Sequence, residues 1–214
     1  MPDAETPPRL PALAALGLLA APYLLNDFAN IYVHQPLAWL ACDYGSRVFS
    51  LVCVAWLLRR RTIEWRDLQL QRGTWWRLMV GVFVATVAGV LLTAPTAREF
   101  FVVPVAWPAG FLPEIVPPWL HALDYWVGIA FVAVSEEVVF RGVIPRLLMM
   151  LGGSRLAALL WSSAVFGLAH WSFGSGSMVT TTLIGIVFGF AAQFSRSLWP
   201  VILAHYLTDL YALR

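Results

Sequence analysis

Apolar residues recur along this chain in runs much longer than the stripe of a soluble amphipathic helix, with short polar stretches between them. A bilayer core of about 30 Å needs about 20 apolar residues per helix. By that measure the pattern predicts spans at Leu10–Leu25, Leu37–Leu58, Trp75–Ala94, Trp119–Leu151, Leu156–Trp171, Met178–Phe194 and Leu198–Leu213. The fourth is long enough to break in two. The expected fold is therefore all-α, a polytopic transmembrane helix bundle of about seven to eight helices around an intramembrane polar cavity.

Composition excludes a soluble globule. Hydrophobic residues make up 60% of the chain and charged residues 12%, with a mean hydropathy of +0.73. A soluble domain carries roughly a quarter charged residues. The lipid bilayer is thus the first partner, and a net charge of +2 over 214 residues argues against nucleic acid. All 14 basic residues are arginine. We read this as a high-GC bacterial genome, so a bacterial inner (cytoplasmic) membrane is the expected location. Cys42 and Cys53 lie roughly 16 Å apart along one span, too far for a disulfide. The N-terminal MPDAETPPRL lacks the basic region of a secretory signal, so the run after it is expected to stay as a first span.

Arginine sets the orientation. Arg59, Arg60, Arg61, Arg66, Arg72 and Arg77 crowd the loop between the second and third spans, which should be cytoplasmic. Alternation then places the N-terminus inside, and Arg146, Arg155 and Arg196 near inner turns. The segment Pro95–Pro118 carries Pro104, Pro108, Pro113 and Pro117 between those two prolines and few charges, and falls outside. Its aromatic residues Phe100, Phe101, Trp107 and Phe111, with Trp119 just beyond, fit an interfacial belt. The segment divides N-terminal helices and loops (1–118) from a second half (119–214).

Ionisable side chains inside apolar spans are expensive and mark candidate sites. Asp43 and Arg47, at i,i+4 in the second span, are read as a self-neutralising structural pair. His121 and Asp124 are read as interfacial. What remains is Glu136, Glu137, Arg141, His170, His205 and Asp209, all in the final part of the chain. Two adjacent carboxylates cannot both be ionised cheaply in apolar surroundings. Arg141 shares a helix face with Glu137 and lies about 140° around the axis from Glu136. The geometry therefore commits Glu137 to Arg141 and leaves Glu136 to face a water; a plain structural Glu–Arg bridge is the alternative.

Phe166 and His170 share a face of the next helix. Glu136 and His170 stand at similar distances on either side of the Gly152-Gly153-Ser154 turn, roughly 25 Å along each helix, so they can face one another. His205 and Asp209, again at i,i+4, share a face of the last span. His205 is roughly 13 Å from its nearest turn, which leaves a mismatch in depth. No HExxH or GxSxG motif is present. Ser135, Ser162 and Ser163 are read as packing residues.

With EExxxR, FxxxH and HxxxD in that order on successive helices, the chain resembles the CPBP family. These are CAAX-protease and bacteriocin-processing membrane proteins, among them the Ras-converting CAAX endoprotease. The likeness runs from Val132 to Leu210 through EEVVFRG, SSAVFGLAH and GIVFGFAAQFSRSLWPVILAH. It implies an intramembrane glutamate-type endopeptidase acting on a membrane-associated peptide or protein, one with a hydrophobic or C-terminal membrane segment. It also implies the roles. Glu136 activates the water, Glu137 and Arg141 support it, and His170 and His205 position the water and stabilise the oxyanion, with Asp209 beside His205. The last position is often Asn in the family. An ionised Asp209 cannot donate to an oxyanion, so it is expected to orient His205.

No cofactor is expected. Zinc held by Glu136, His170 and His205 is the alternative, disfavoured because Arg141 would repel a cation. Two other functions stay open on the residues alone: a non-catalytic family member that binds a peptide or partner, and a small proton-coupled transporter using the same groups as a relay.

Overall fold

A computed structural model describes residues 9–103, 110–114 and 117–213, with side chains from Ala12 onward. Pro104, Trp107 and Pro108, and the N-terminus before Arg9, lie outside the described residues. The described residues form helices and connecting turns without a strand. The helices are α1 (Arg9–Asn26), α2 (Ala29–Tyr32), α3 (Pro36–Arg59), α4 (Trp75–Thr93), α5 (Pro95–Phe100) and α6 (Pro118–Leu123), then α7 (Ile129–Glu137), α8 (Ile144–Met150), α9 (Arg155–Leu168), α10 (Gly174–Ser195) and α11 (Trp199–Ala212). Each of the seven expected spans coincides with a helical run. Four stretches are long and apolar enough to cross a membrane: Ala12–Tyr32, Pro36–Arg59, Trp75–Thr93 and Trp171–Ser195. The chain is an integral membrane protein, and its outer surface fits lipid, with Phe83 70%, Leu91 65% and Trp161 66% exposed.

The helix boundaries have local causes. Pro36 opens α3, where Gln35 accepts from the amide of Ala38. Ser154 caps α9 by accepting from Ala157 at 3.2 Å. Gly152, at φ +96°, lets the chain leave α8. The packing relies on small residues. Gly81, Ala85 and Gly89 form the buried face of α4 against α11, and a Cβ on Gly89 would lie 2.2 Å from the Thr208 hydroxyl.

The long fourth span is one helical run over residues 118–150 that does not separate into two helices. It widens twice into π-helix, at Asp124–Gly128 and at Val138–Val143. The second widening just precedes Pro145, which has no N–H to give the preceding turn. There the amide of Ile144 reaches back to Val139, and the Ser162 hydroxyl of α9 donates to the carbonyl of Phe140. The π turn thus begins directly after Glu137 and carries Arg141.

Candidate active site

Two helices of the second half deliver the acidic and basic groups to one place. Glu136 and Glu137 end α7, Arg141 follows in the π turn, and His205 faces them from α11. Glu137 is fully buried, and its Oε1 meets Arg141 Nη1 at 3.0 Å and His205 Nδ1 at 2.7 Å. An ionised carboxylate only accepts, so Nδ1 carries the proton and donates to it. The other ring nitrogen, Nε2, then points to Glu136 Oε2 at 3.7 Å and Asp209 Oδ2 at 3.4 Å. The Arg141 guanidinium lies 4.0 Å from the centre of the Phe166 ring, a cation–π contact.

The mismatch in depth expected for His205 has a structural cause: the turns are not level. Leu198, in the turn before α11, packs beside Gly142, and its amide donates to the Gln69 carbonyl at 2.8 Å. That turn is therefore tucked well up the long helix. His205, seven residues beyond Leu198, meets Glu137, five residues before Gly142.

His170 sits where α9 ends, before the 3-10 turn Trp171–Phe173. Its Nδ1 donates to the Phe166 carbonyl at 2.9 Å, because a carbonyl only accepts. Its Nε2 is left for another partner. Glu136, His170, His205 and Asp209 all line one polar cavity of about 180 Å³, with Phe166 in its wall. Glu137 and Arg141 stand behind that wall.

The expectation that the first half adds almost nothing to this site is wrong. Asp43 and Arg47 do pair, at 2.5 Å, but the same guanidinium donates through Nη2 to Glu136 Oε1 at 2.8 Å. Arg47 is a bridge into the site, and Glu136 is not free of ion pairs. Other first-half groups line the cavity too. Asp27 accepts from the Ser172 amide at 2.7 Å, and Asn30 donates to the Ser172 hydroxyl at 3.1 Å, which fixes the turn beside His170. Asp124 is not merely interfacial, since it accepts from the Tyr44 hydroxyl and lines the same cavity. For Arg47 the signal is the cost of an ionisable group in a span, masked because Asp43 and Arg47 can neutralise each other locally. Asp27 and Asn30 lie between the expected spans and carry no such signal.

The serines are occupied. Ser135 donates to Val132 at 2.9 Å, Ser163 donates to Leu159 at 2.8 Å, and Ser162 is committed to Phe140. Among the described residues, no group of three His, Cys, Asp or Glu side chains is arranged to hold a metal ion.

Residues 117–211 match the family model of the type II CAAX prenyl endopeptidases, Rce1-like. That match, confined to the second half of the chain, supports a likeness to the CAAX-protease family. The match contains α7, α9, α10 and α11 as far as Tyr211, and so every residue of the EExxxR, FxxxH and HxxxD motifs. The matched family is one of proteases, which supports a hydrolase in general terms. Arg47, Asp43 and Asp27 lie outside the matched residues, so the matched region takes part of its polar environment from the chain that precedes it. No curated protein and no solved structure matches the chain.

Proposed function

We propose that the protein is an intramembrane endopeptidase that hydrolyses a peptide bond with a glutamate-activated water. Its substrate is a membrane-associated or C-terminally anchored peptide or protein. One observation carries this reading: Glu136 lines the polar cavity together with both histidines, while Glu137 is buried behind it against Arg141 and His205. Two carboxylates in different surroundings are a recurrent way to obtain one base and one support.

In this reading Arg47 fixes Oε1 of Glu136 and leaves Oε2 toward the cavity. A water held by Oε2 and by Nε2 of His170 gives one proton to Glu136 as its oxygen attacks the peptide carbonyl carbon. The carbonyl electrons move to oxygen, and His205, doubly protonated among Glu136, Glu137 and Asp209, donates from Nε2 to that oxyanion. When the C–N bond breaks, Glu136 returns the proton to the leaving amine. One water is consumed, and a carboxyl and an amine are formed. Asp209 orients the imidazole; as a carboxylate it has no proton to offer the oxyanion.

The cavity is lined by Asn26, Asn30, Leu112 and Leu213, at the end of the bundle opposite the arginine-rich turns. With those turns cytoplasmic and the protein in a bacterial inner membrane, the site opens away from the cytoplasm. Substrates are then exported or outer-leaflet segments. The test is hydrolysis in ¹⁸O-water. Reconstituted wild-type protein and Glu136→Gln are mixed with membranes from cells lacking the gene, and new C-termini are sought by mass spectrometry. Labelled termini are expected with wild type alone, and identical termini in both samples would refute the mechanism.

A further inference from the structure

A second cavity, of about 700 Å³, enters the bundle at the arginine-rich end, and the mechanism above leaves it unused. Five guanidiniums line it, those of Arg66, Arg141, Arg146, Arg155 and Arg196, against one carboxylate, that of Asp67. Three of the five have a carboxylate partner, Arg141 through Glu137 at 3.0 Å. Arg146 Nε is 3.3 Å from Asp67, and Arg66 turns out to Glu64 at 2.9 Å. Arg155 and Arg196 make no ion pair among the described residues.

At the inner end stands Arg141, its side chain 3% exposed and its Nη2 without a hydrogen-bond partner. A Cβ on Gly185, another lining residue, would come within 3.3 Å of that Nη2. Glycine there keeps the guanidinium open to the cavity. At the mouth, Arg196 adopts φ +54°, a left-handed conformation uncommon for a side chain of its size. Its carbonyl accepts from Gln71 at 3.3 Å. The aromatic residues around this end set its depth. Trp75, Trp76 and Trp199 are 71%, 52% and 50% exposed, and Trp199 Nε1 donates to the Leu70 carbonyl at 2.9 Å. Exposed tryptophans at a helix-bundle end lie at headgroup level.

We infer that this cavity is a binding site for the phosphate of an anionic phospholipid headgroup. The planar fork of arginine matches two phosphate oxygens at once. Basic pockets between membrane helices at the interface are the usual seats of anionic headgroups. The volume lies in the range of small-molecule sites. The chemistry recognised is the phosphate, and the bilayer around the mouth supplies it in a lipid.

The full-length protein in an uncharged detergent provides the test. It is titrated with phosphatidylglycerol, with phosphatidylcholine and with inorganic phosphate. Thermal unfolding by tryptophan fluorescence is followed, and retained lipid is counted by native mass spectrometry. Phosphatidylglycerol should be retained and should raise the unfolding midpoint, and phosphatidylcholine should do neither. An Arg155→Gln/Arg196→Gln variant should lose at least about tenfold in affinity, since it removes two charge-assisted contacts to the phosphate. Gln193→Glu removes no arginine and adds a carboxylate at the exposed cavity wall, and it should weaken retention in the same direction. Equal retention of the two lipids, or retention unchanged in both variants, overturns the site. Protection by inorganic phosphate equal to that by phosphatidylglycerol overturns the lipid as its occupant.

Discussion

Arg47 donates to Glu136 across 2.8 Å, from a helix outside the protease-family match. Its other arm holds Asp43 at 2.5 Å, so a single guanidinium ties α3 to the first of the two adjacent glutamates. Both partners and Arg47 itself are buried. In such a place one unpaired charge costs far more than the pair gains. The first half of the chain is therefore part of the site's electrostatics as well as its housing.

Replacing Arg47 by Gln should for that reason lower stability by roughly 3–5 kcal/mol, because Asp43 and Glu136 lose their shared cation together. Arg66→Ala is the contrast. Its pair with Glu64 is exposed on both sides, and such pairs are worth under about 1 kcal/mol. Thermal unfolding in detergent should separate the two variants clearly. Equal midpoints would mean that Arg47 is not a structural cation.

The reach of the sequence follows from this contrast between a local and a distant partner. Spans were legible because a lipid-facing helix must be apolar over its whole length, whatever it packs against. EExxxR, FxxxH and HxxxD were legible because their i,i+4 spacings place side chains on one face with no tertiary knowledge. The Arg47–Glu136 contact joins positions 89 apart and follows from no helical period. The depth of His205 was likewise hidden, since it depends on the turn at Leu198 rising to the level of Gly142. The π turn at Val138–Val143 had a local hint in Pro145, but a proline mid-helix is equally compatible with a kink.

Orientation is testable without any substrate. A reporter inserted within Arg59–Arg77 should read cytoplasmic, and one within Pro95–Pro118 should read external, from the distribution of arginine. The opposite pattern would turn the catalytic cavity toward the cytoplasm and exchange the candidate substrates for intracellular ones.

Purified protein should carry no stoichiometric zinc, and chelators should leave peptide hydrolysis intact. Arg47 and Arg141 lie 2.8 Å and 3.0 Å from the two glutamates, and a divalent cation beside them would meet two positive charges. Elemental analysis together with an EDTA titration reads this out. Activity lost to the chelator and restored by Zn²⁺ would move the mechanism to a metal-bound water.

The two glutamates should fail in different ways. Glu136→Gln keeps shape and volume but removes the base, and base catalysis is worth roughly 10²–10⁴ in rate. Hydrolysis should fall by at least that factor. Stability should also drop, because Arg47 loses one of its two carboxylates but keeps Asp43. Glu137→Gln leaves Arg141 with no carboxylate within ion-pairing distance among the described residues and replaces the carboxylate facing His205 Nδ1 with a neutral amide. It should lower the unfolding midpoint more than Glu136→Gln does, as well as reducing activity. Arg141→Leu should share that loss of stability, since it takes the guanidinium from a fully buried carboxylate and leaves it only His205. A Glu137→Gln/Arg141→Leu double variant removes both charges at once, so it should regain stability over either single change while staying poorly active. Measured as a double-mutant cycle, the coupling should exceed about 1 kcal/mol. If the changes prove additive, Glu137 and Arg141 are not a coupled pair. If Glu137→Gln is stable and inert while Glu136→Gln still cleaves, the base is Glu137, and the cavity wall has been read from the wrong side.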